Sequence, residues 1–393
     1  MNIEALRADT PGCSHHVHLN SAGAALMPTP VLDAIRSHLE LEEQMGGYEA
    51  AGLRREAMTE CYRAVGALAG VPAERVAFTE NATTAFTQAL SSIHLERGDV
   101  LLTTRNDYAS NQIQMIALER RLGVRALRIP DLPEGGVDPE AAHELIREHR
   151  PRLVTVSHVP TNSGLVQDVA AVGAACREHE VPYLVDACQS VGQIPLDLDA
   201  LGADFLSATA RKFLRGPRGC GFLAVSQRVL DQELMPLFPD LHSARWTSAD
   251  DFEPVPDARR FENWEFPWAM LLGMGAAARY ALELGLDRIE RRITGLADRL
   301  RTGLESIEGT RVLDRGPRLC GIVTTWIEGF EPHEVMMRLR EHGIYAWAQE
   351  RVDATLDYDE KGVPGALRIS PHTYTTEEEI DQTLELLSEW TAR

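Results

Sequence analysis

"RLVTVSHVPTNSGLVQDVAAVGAACREHEVPYLVDACQSVG", residues 152–192, sets two apolar runs on either side of a helical pattern. "RLVTVSHV" (152–159) and "PYLVDAC" (182–188) read as strands, being short and rich in β-branched residues. "DVAAVGAACREHE" (168–180) reads as the helix between them. A strand–helix–strand unit of this kind argues for parallel pairing.

The same alternation extends outward in both directions. "RVAFTE" (75–80), "DVLLTT" (99–104), "RALRIP" (125–130), "DFLSAT" (204–209) and "GFLAVS" (221–226) are further strand candidates. "ATTAFTQALSSIH", "SNQIQMIALERRLG" and "DPEAAHELIREH" are helical patterns between several of them. The expected fold class is α/β, a mainly parallel seven-stranded sheet covered on both faces. In such sheets ligands bind beyond the carboxyl ends of the strands. After a loop-rich section at about 238–268, a long helical stretch is expected over roughly 268–306. The last ninety or so residues read as a smaller α+β unit with strands "CGIVTTWI" and "GALRIS" and helix "PHEVMMRLREHG". "TEEE" (376–379) is a capping box for a final helix, with Thr376 as cap and Glu379 reaching back.

Composition bounds the partners. With 393 residues the chain is long enough for more than one domain. Its net charge of −20 opposes binding to nucleic acid or an anionic membrane. No apolar run is long enough to span a bilayer, and the start, "MNIEALRADTPGCSHHVHLN", lacks the pattern of a signal peptide. Six scattered cysteines without a CxxC fit reduced thiols, and the expected location is cytoplasmic. No tandem repeat or low-complexity segment is present.

Four segments at strand ends carry candidate chemistry. "TENATTAF" (79–86) puts Ala82, Thr83 and Thr84 at a helix start, where free amides and hydroxyls suit a phosphate or serve only as caps. "NDYASNQ" (106–112) puts Tyr108 where its ring could stack on a planar ligand or simply pack. In "YLVDACQSVG" (183–192), Asp186 ends an apolar strand and needs a cationic partner such as a protonated pyridine nitrogen. The alternative is a helix-capping Asp. Gln189 lies one turn on. In "ATARKFLRGPRGCGFL" (208–223), Lys212 follows a strand beside Arg211. Desolvation there lowers a lysine pKa and makes it a better nucleophile toward an aldehyde. Thr209 and Arg211 are placed for phosphate, whereas Arg215 and Arg218 belong to the turn that follows. "CSHHVHL" (13–19) offers Cys13, His15, His16 and His18, but ligands so tightly spaced do not easily wrap one tetrahedral ion, and no metal site is read from the sequence.

On these residues the chain resembles the class V aminotransferase family, fold-type I pyridoxal-phosphate enzymes that include cysteine desulfurases and isopenicillin-epimerase-like proteins. The resemblance runs from "HLNSAGAALMP" (18–28) to "LRISPHTYTTEEEID" (367–381). It implies a large cofactor-binding domain over 19–284 and a small domain formed by 1–18 plus 285–393. It implies pyridoxal 5'-phosphate held as a Schiff base by Lys212, with Asp186 on the pyridine nitrogen and Gln189 on the ring's phenolic oxygen. Ala82, Thr83, Thr209 and Arg211 would hold the phosphate, Tyr108 would stack, and either Thr161 or Asn162 would touch the cofactor. Arg368 would bind the substrate carboxylate, with Asn20 and Ala24 in the substrate pocket. The resemblance further implies a homodimer with shared active sites.

Three departures are visible. "RK" stands for the family's usual "HK". The segment 343–366 contains no cysteine of the kind desulfurases use against sulfur, and Cys320 lies upstream on a predicted strand. "RRFENWE" (259–265) puts Trp264 and Glu265 where many relatives reach the neighbouring subunit's phosphate. "RKFLRGPRG", "RRFENWE" and "HVPTNSGLV" resemble most the branch of ergothioneine-type C–S lyases. The implied reaction is β-elimination from a cysteine S-conjugate or its sulfoxide. An aminotransferase or epimerase on the same scaffold is the alternative, and a non-catalytic partner protein is a third reading. Trp246, Trp264, Trp268 and Trp347 in candidate pocket segments suggest a bulky substrate.

Overall fold

The computed structural model describes residues 1–392. Seven strands form the main sheet: β1 (Val76–Thr79), β2 (Val100–Thr104), β3 (Arg125–Ile129), β4 (Leu153–Ser157), β5 (Tyr183–Asp186), β6 (Phe205–Thr209) and β7 (Gly221–Val225). Their spatial order is β1-β7-β6-β5-β4-β2-β3. All pairs are parallel except those of β7, which runs antiparallel to both β1 and β6. β1, β2, β4, β5, β6 and β7 are buried at every position, as expected of strands covered on both faces. Each expected strand is present, one to three residues shorter than its apolar run.

The helices between strands start on side-chain caps. Asn81 accepts from Thr84 N, Asp138 from Glu140 N and Ala141 N, and Asp168 from Ala171 N. Each cap satisfies otherwise orphaned amides and is worth about 1 kcal/mol. Helices Thr29–Met45, Arg55–Ala69 and Trp268–Leu284 pack together and contribute to the larger apolar core.

The long helical stretch expected over roughly 268–306 is two helices, Trp268–Leu284 and Leu286–Glu305. Gly285 separates them at φ 83°, a conformation open to glycine and strained for other residues. Beyond it lies a four-stranded antiparallel sheet of β8 (Thr310–Val312), β9 (Val323–Ile327), β10 (Trp347–Glu350) and β11 (Gly365–Ile369), in the order β8-β9-β11-β10. This sheet shares a second apolar core with helices Leu286–Glu305, Pro332–Glu341 and Glu377–Thr391. The capping box at Thr376 and Glu379 closes in both directions. Segment 343–366 is more ordered than a loop, since it contains β10 and helix Thr355–Lys361. The 238–268 section carries an antiparallel hairpin, Ala244–Ser248 with Asp251–Pro254.

The N-terminal segment crosses between the two cores. Val17–His18 pairs with Ile344–Tyr345, and Asn20 bridges to Ser370.

Candidate active site

Parallel pairing aligns the carboxyl ends of β4, β5 and β6. Ser157 lies opposite Asp186, and Asp186 opposite Ser207. A cavity of about 290 Å³ opens there. It is lined by Ala82, Thr83, Tyr108, Thr161, Asp186, Gln189, Thr209, Arg211 and Lys212, nine of the expected residues from five separate segments.

Lys212 is 7% exposed. Burial draws its ammonium below the ordinary 10.5, opposed by the nearby Cys188 and Asp186 and assisted by Arg211 and Arg368. Its Nζ lies 5.9 Å from the centroid of the Tyr108 ring. Among the described residues it makes no hydrogen bond or ion pair, so the amine is free to react.

Asp186 is buried at the end of β5. Oδ1 accepts from Cys188 N at 2.9 Å and Oδ2 from Asn111 Nδ2 at 3.0 Å. Among the described residues no arginine or lysine lies within ion-pair distance of it, Lys212 acting only from further off, and a buried carboxylate without a paired cation is costly by several kcal/mol, on the order of 3–5. The same Asn111 Nδ2 donates to Asp107 Oδ1 at 3.0 Å. Asp107 also accepts from Tyr108 N, Ser157 Oγ and Thr103 Oγ1. Desolvation lifts the Asp107 carboxyl above its usual range. Asp107 thereby fixes the backbone of Tyr108, and Asn111 fixes Asp186. Both lay in "NDYASNQ" but were not singled out from sequence. The signal available was an Asp and an Asn four residues apart, hence on one face of a helix start.

At the other end, Asn81 Oδ1 takes up Thr84 N at 2.9 Å. Ala82 N and Thr83 N are left without acceptors among the described residues, and Thr84 does not line the cavity. Gly221 packs against this turn. A Cβ there would sit 3.0 Å from Ala82 N and 2.5 Å from Ala208 O, so the close approach requires glycine. Arg211 Nη1 donates to the Gly23 carbonyl while the side chain borders the cavity. Arg218, expected only in the turn, lines the cavity too. Arg215 does not. It is buried, donates to Leu26 O at 2.9 Å and Thr10 Oγ1 at 2.6 Å, and stacks over Tyr374 and Tyr280.

Of the two alternatives Thr161 and Asn162, Thr161 is the one that borders the cavity. Thr161 Oγ1 accepts from Gln189 Nε2 and from Arg368 Nη1. Asn162 is turned away, with Nδ2 donating to Asp357 Oδ2 at 2.7 Å, and does not line this cavity. Gln189 Nε2 also donates to Ala22 O, and its buried Oε1 has no partner.

Arg368 and Asn20 do not line the cavity wall, but Thr161 joins them to it. Arg368 is 4% exposed; Nη1 also reaches Thr161 O at 3.0 Å and Nη2 reaches Asn20 Oδ1 at 3.3 Å. Its Nε is unpartnered, and among the described residues no carboxylate pairs with it. Burial lowers the guanidinium to about 10. Ala24 sits on the short helix Ser21–Ala24, next to the Gly23 carbonyl that Arg211 holds. Trp246, Trp264 and Trp347 are exposed, and no tryptophan lines the cavity. His18 Nδ1 pairs with the Tyr374 hydroxyl, and burial lowers it to about 4.

These residues fit pyridoxal phosphate. The free amides of Ala82 and Thr83 with Arg211 and Arg218 suit a phosphate. The uncompensated Asp186, the orphaned Gln189 Oε1, the Tyr108 ring and the buried Lys212 amine suit a pyridine aldehyde. Comparison with known proteins agrees. The aminotransferase class-V profile matches residues 17–383, and the chain belongs to that family of pyridoxal-phosphate-dependent enzymes. It is 29% identical over 396 residues to a probable cysteine desulfurase of Methanothermobacter thermautotrophicus, covering 99% of this chain and 98% of the relative. It is 30% identical over 383 residues to a probable hercynylcysteine sulfoxide lyase of Mycobacterium tuberculosis, covering 96% and 90%. The apo structure of a cysteine desulfurase from Thermococcus onnurineus superposes with a TM-score of 0.90 at 26% identity, covering 100% of this chain and 99% of the other.

Proposed function

We propose that the chain is a C–S β-lyase that cleaves a cysteine S-conjugate or its sulfoxide by β-elimination to pyruvate and ammonia. The observation that carries this reading is the placement of the thiols: segment 343–366 contains none, and Cys61, Cys176, Cys220 and Cys320 are buried. All six cysteines are held above their ordinary value, with burial as the leading cause. Cys320 is pushed up to about 12, and Cys188, beside the cavity, is raised by burial and by Asp186. A thiol that attacks sulfur must ionise readily. Elimination needs no such thiol, only a base and a held substrate. The sulfoxide is included because the mycobacterial relative is named as a sulfoxide lyase.

Ala82, Thr83, Thr209, Arg211 and Arg218 would hold the cofactor phosphate, Asp186 its ring nitrogen, and Tyr108 the ring face. When bound, pyridoxal phosphate supplies an aldehyde for amines and a ring that accepts the electron pair left at the substrate's α-carbon. Arg368 pairs with the substrate carboxylate, completing a buried guanidinium that lacks an anion, and a two-pronged ion pair there fixes orientation. Asn20 and Thr161 keep the guanidinium in place. Lys212 Nζ takes the proton from the α-carbon, its lowered pKa suiting a base. The Cβ–S bond then breaks with its electron pair going to sulfur, and water converts the remaining fragment to pyruvate and ammonia. The six unpaired cysteines suit a reducing compartment such as the cytoplasm. The unit 19–284 would carry the cofactor, with 1–18 and 285–393 closing over the substrate.

The test is an assay of S-substituted cysteines and their sulfoxides, following pyruvate, ammonia and the released sulfur species. Stoichiometric pyruvate is expected, falling by about 10²–10⁴-fold or more in Lys212→Ala. Alanine with enzyme-bound persulfide, or amino transfer to a keto acid without pyruvate, would refute the assignment.

A further inference from the structure

Helices Pro139–His149 and Val169–Glu178 pack side by side. Ala142 and Ile146 bury one face of the first, which leaves His143 at the margin of that face, along the seam. The second ends at Glu178, and His179 follows as its cap residue. His143, Glu178 and His179 each offer a ligand atom, and all three atoms lie within 4.8 Å of one another. His143 Nε2 is 3.3 Å from Glu178 Oε2, and His179 Nε2 is 4.0 Å from Glu178 Oε1. The two imidazole rings are 5.1 Å apart. None of the three lines the cavity that contains Lys212.

His179 supplies an independent observation. Its side chain is only 10% exposed, yet its buried Nε2 has no hydrogen-bond partner. Buried polar nitrogens are ordinarily satisfied, so an orphan facing two other donors points to something that binds them together. Glu178 is 62% exposed and can swing without disturbing the core. Donors around a tetrahedral zinc ion, bound at about 2.0–2.2 Å, stand roughly 3.3–3.6 Å apart. A movement of about 1 Å by Glu178 and His143 closes the present spacing to that geometry. The carboxyl end of the helix Val169–Glu178 adds a favourable field for a cation. Arg150 donates to the His179 carbonyl at 3.4 Å rather than to the ring.

We propose that His143, Glu178 and His179 form a divalent-metal site that clamps the two helices, with water as the fourth ligand. Two imidazoles and one carboxylate select a borderline transition ion of the Zn2+ class over Mg2+ or Ca2+. The test is titration of Zn2+ into chelator-dialysed holoenzyme in competition with a chromogenic indicator. One site per chain is expected. Affinity should fall at least about tenfold in His143→Ala and in His179→Ala, with turnover unchanged. His16→Ala, in the histidine-rich N-terminal segment, should bind as wild type. Should His179→Ala fail to fold, His143→Ala and the anomalous zinc signal of Zn2+-soaked crystals decide. A peak between the three side chains supports the site. A peak elsewhere, unchanged affinity in His143→Ala, or no binding by wild type overturns it.

Discussion

Lys212 is set apart from the other cations of its segment by what surrounds it. Arg211 is tied to the Gly23 carbonyl and Arg215 to Thr10 and Leu26, whereas the Lys212 amine has no partner. Burial is the dominant influence and favours the neutral amine, so Lys212 should lose its proton below the 10.5 of a free lysine. In cofactor-free protein, acylation of Lys212 by an amine-directed reagent should therefore rise through a midpoint under 10.5. Peptide mapping across a pH series measures it, and a midpoint at or above 10.5 would contradict the role given to burial. Asp186 was legible in sequence because it ends an apolar strand, and Lys212 because it follows one closely, where an ionisable group stands out against apolar neighbours. Asp107 and Asn111 were not. Their importance comes from three-dimensional contacts to Tyr108 and Asp186, which sequence spacing does not display. Arg218 was missed because a glycine-rich turn explains a cation equally well as a surface residue.

At the scale of elements, the section 238–268 is held down by one acid. Glu262 is buried and accepts from Tyr62, Phe78 N and His242 Nε2. Its hydrogen bond raises the His242 imidazole above 6.5 despite opposing desolvation. A raised folded-state value means the pair contributes fully below the unfolded 6.5 and fades as pH rises through the folded value. Thermal unfolding of His242→Gln against wild type should show the larger loss near about pH 5.5 and the smaller near about pH 8.5. An equal loss at both would remove the ion pair from the account. The hairpin within this section escaped sequence reading because its strands are mostly exposed and carry no apolar alternation. The break at Gly285 escaped for a different reason. The helical pattern continues on both sides, and only the backbone angle interrupts it.

At the scale of the molecule, the exposed apolar surface of this section calls for a partner. Leu237, Phe238, Leu241 and Trp246 are each 66–79% exposed, and Phe252 and Trp264 lie in the same section. Large apolar side chains exposed together in one section are the kind of surface that marks an interface. This surface suits the homodimer that the family resemblance implies, and we propose that the hairpin belongs to its contact. Trp246→Ser combined with Phe238→Ser should shift sedimentation toward monomer, whereas an unchanged dimer would place the interface elsewhere. The sheet itself was readable throughout, since both-face burial writes nearly every strand as a continuous apolar run. The smaller carboxyl-terminal unit was readable as well, whereas the N-terminal strand was joined to it only through the family resemblance, because its partners lie more than 300 positions away.

That crossing segment also governs when the enzyme can come into being during synthesis. Residues 10–26 precede in the chain all of their partners Arg211, Arg215, Gly343, Tyr345, Ser370 and Tyr374. A ribosome must deliver nearly the whole chain before this strap can dock, although the strands of the main sheet are complete by residue 225. The cavity walls can thus assemble on the main sheet first, whereas the link from Asn20 through Arg368 to Thr161 waits for the last strand of the small sheet.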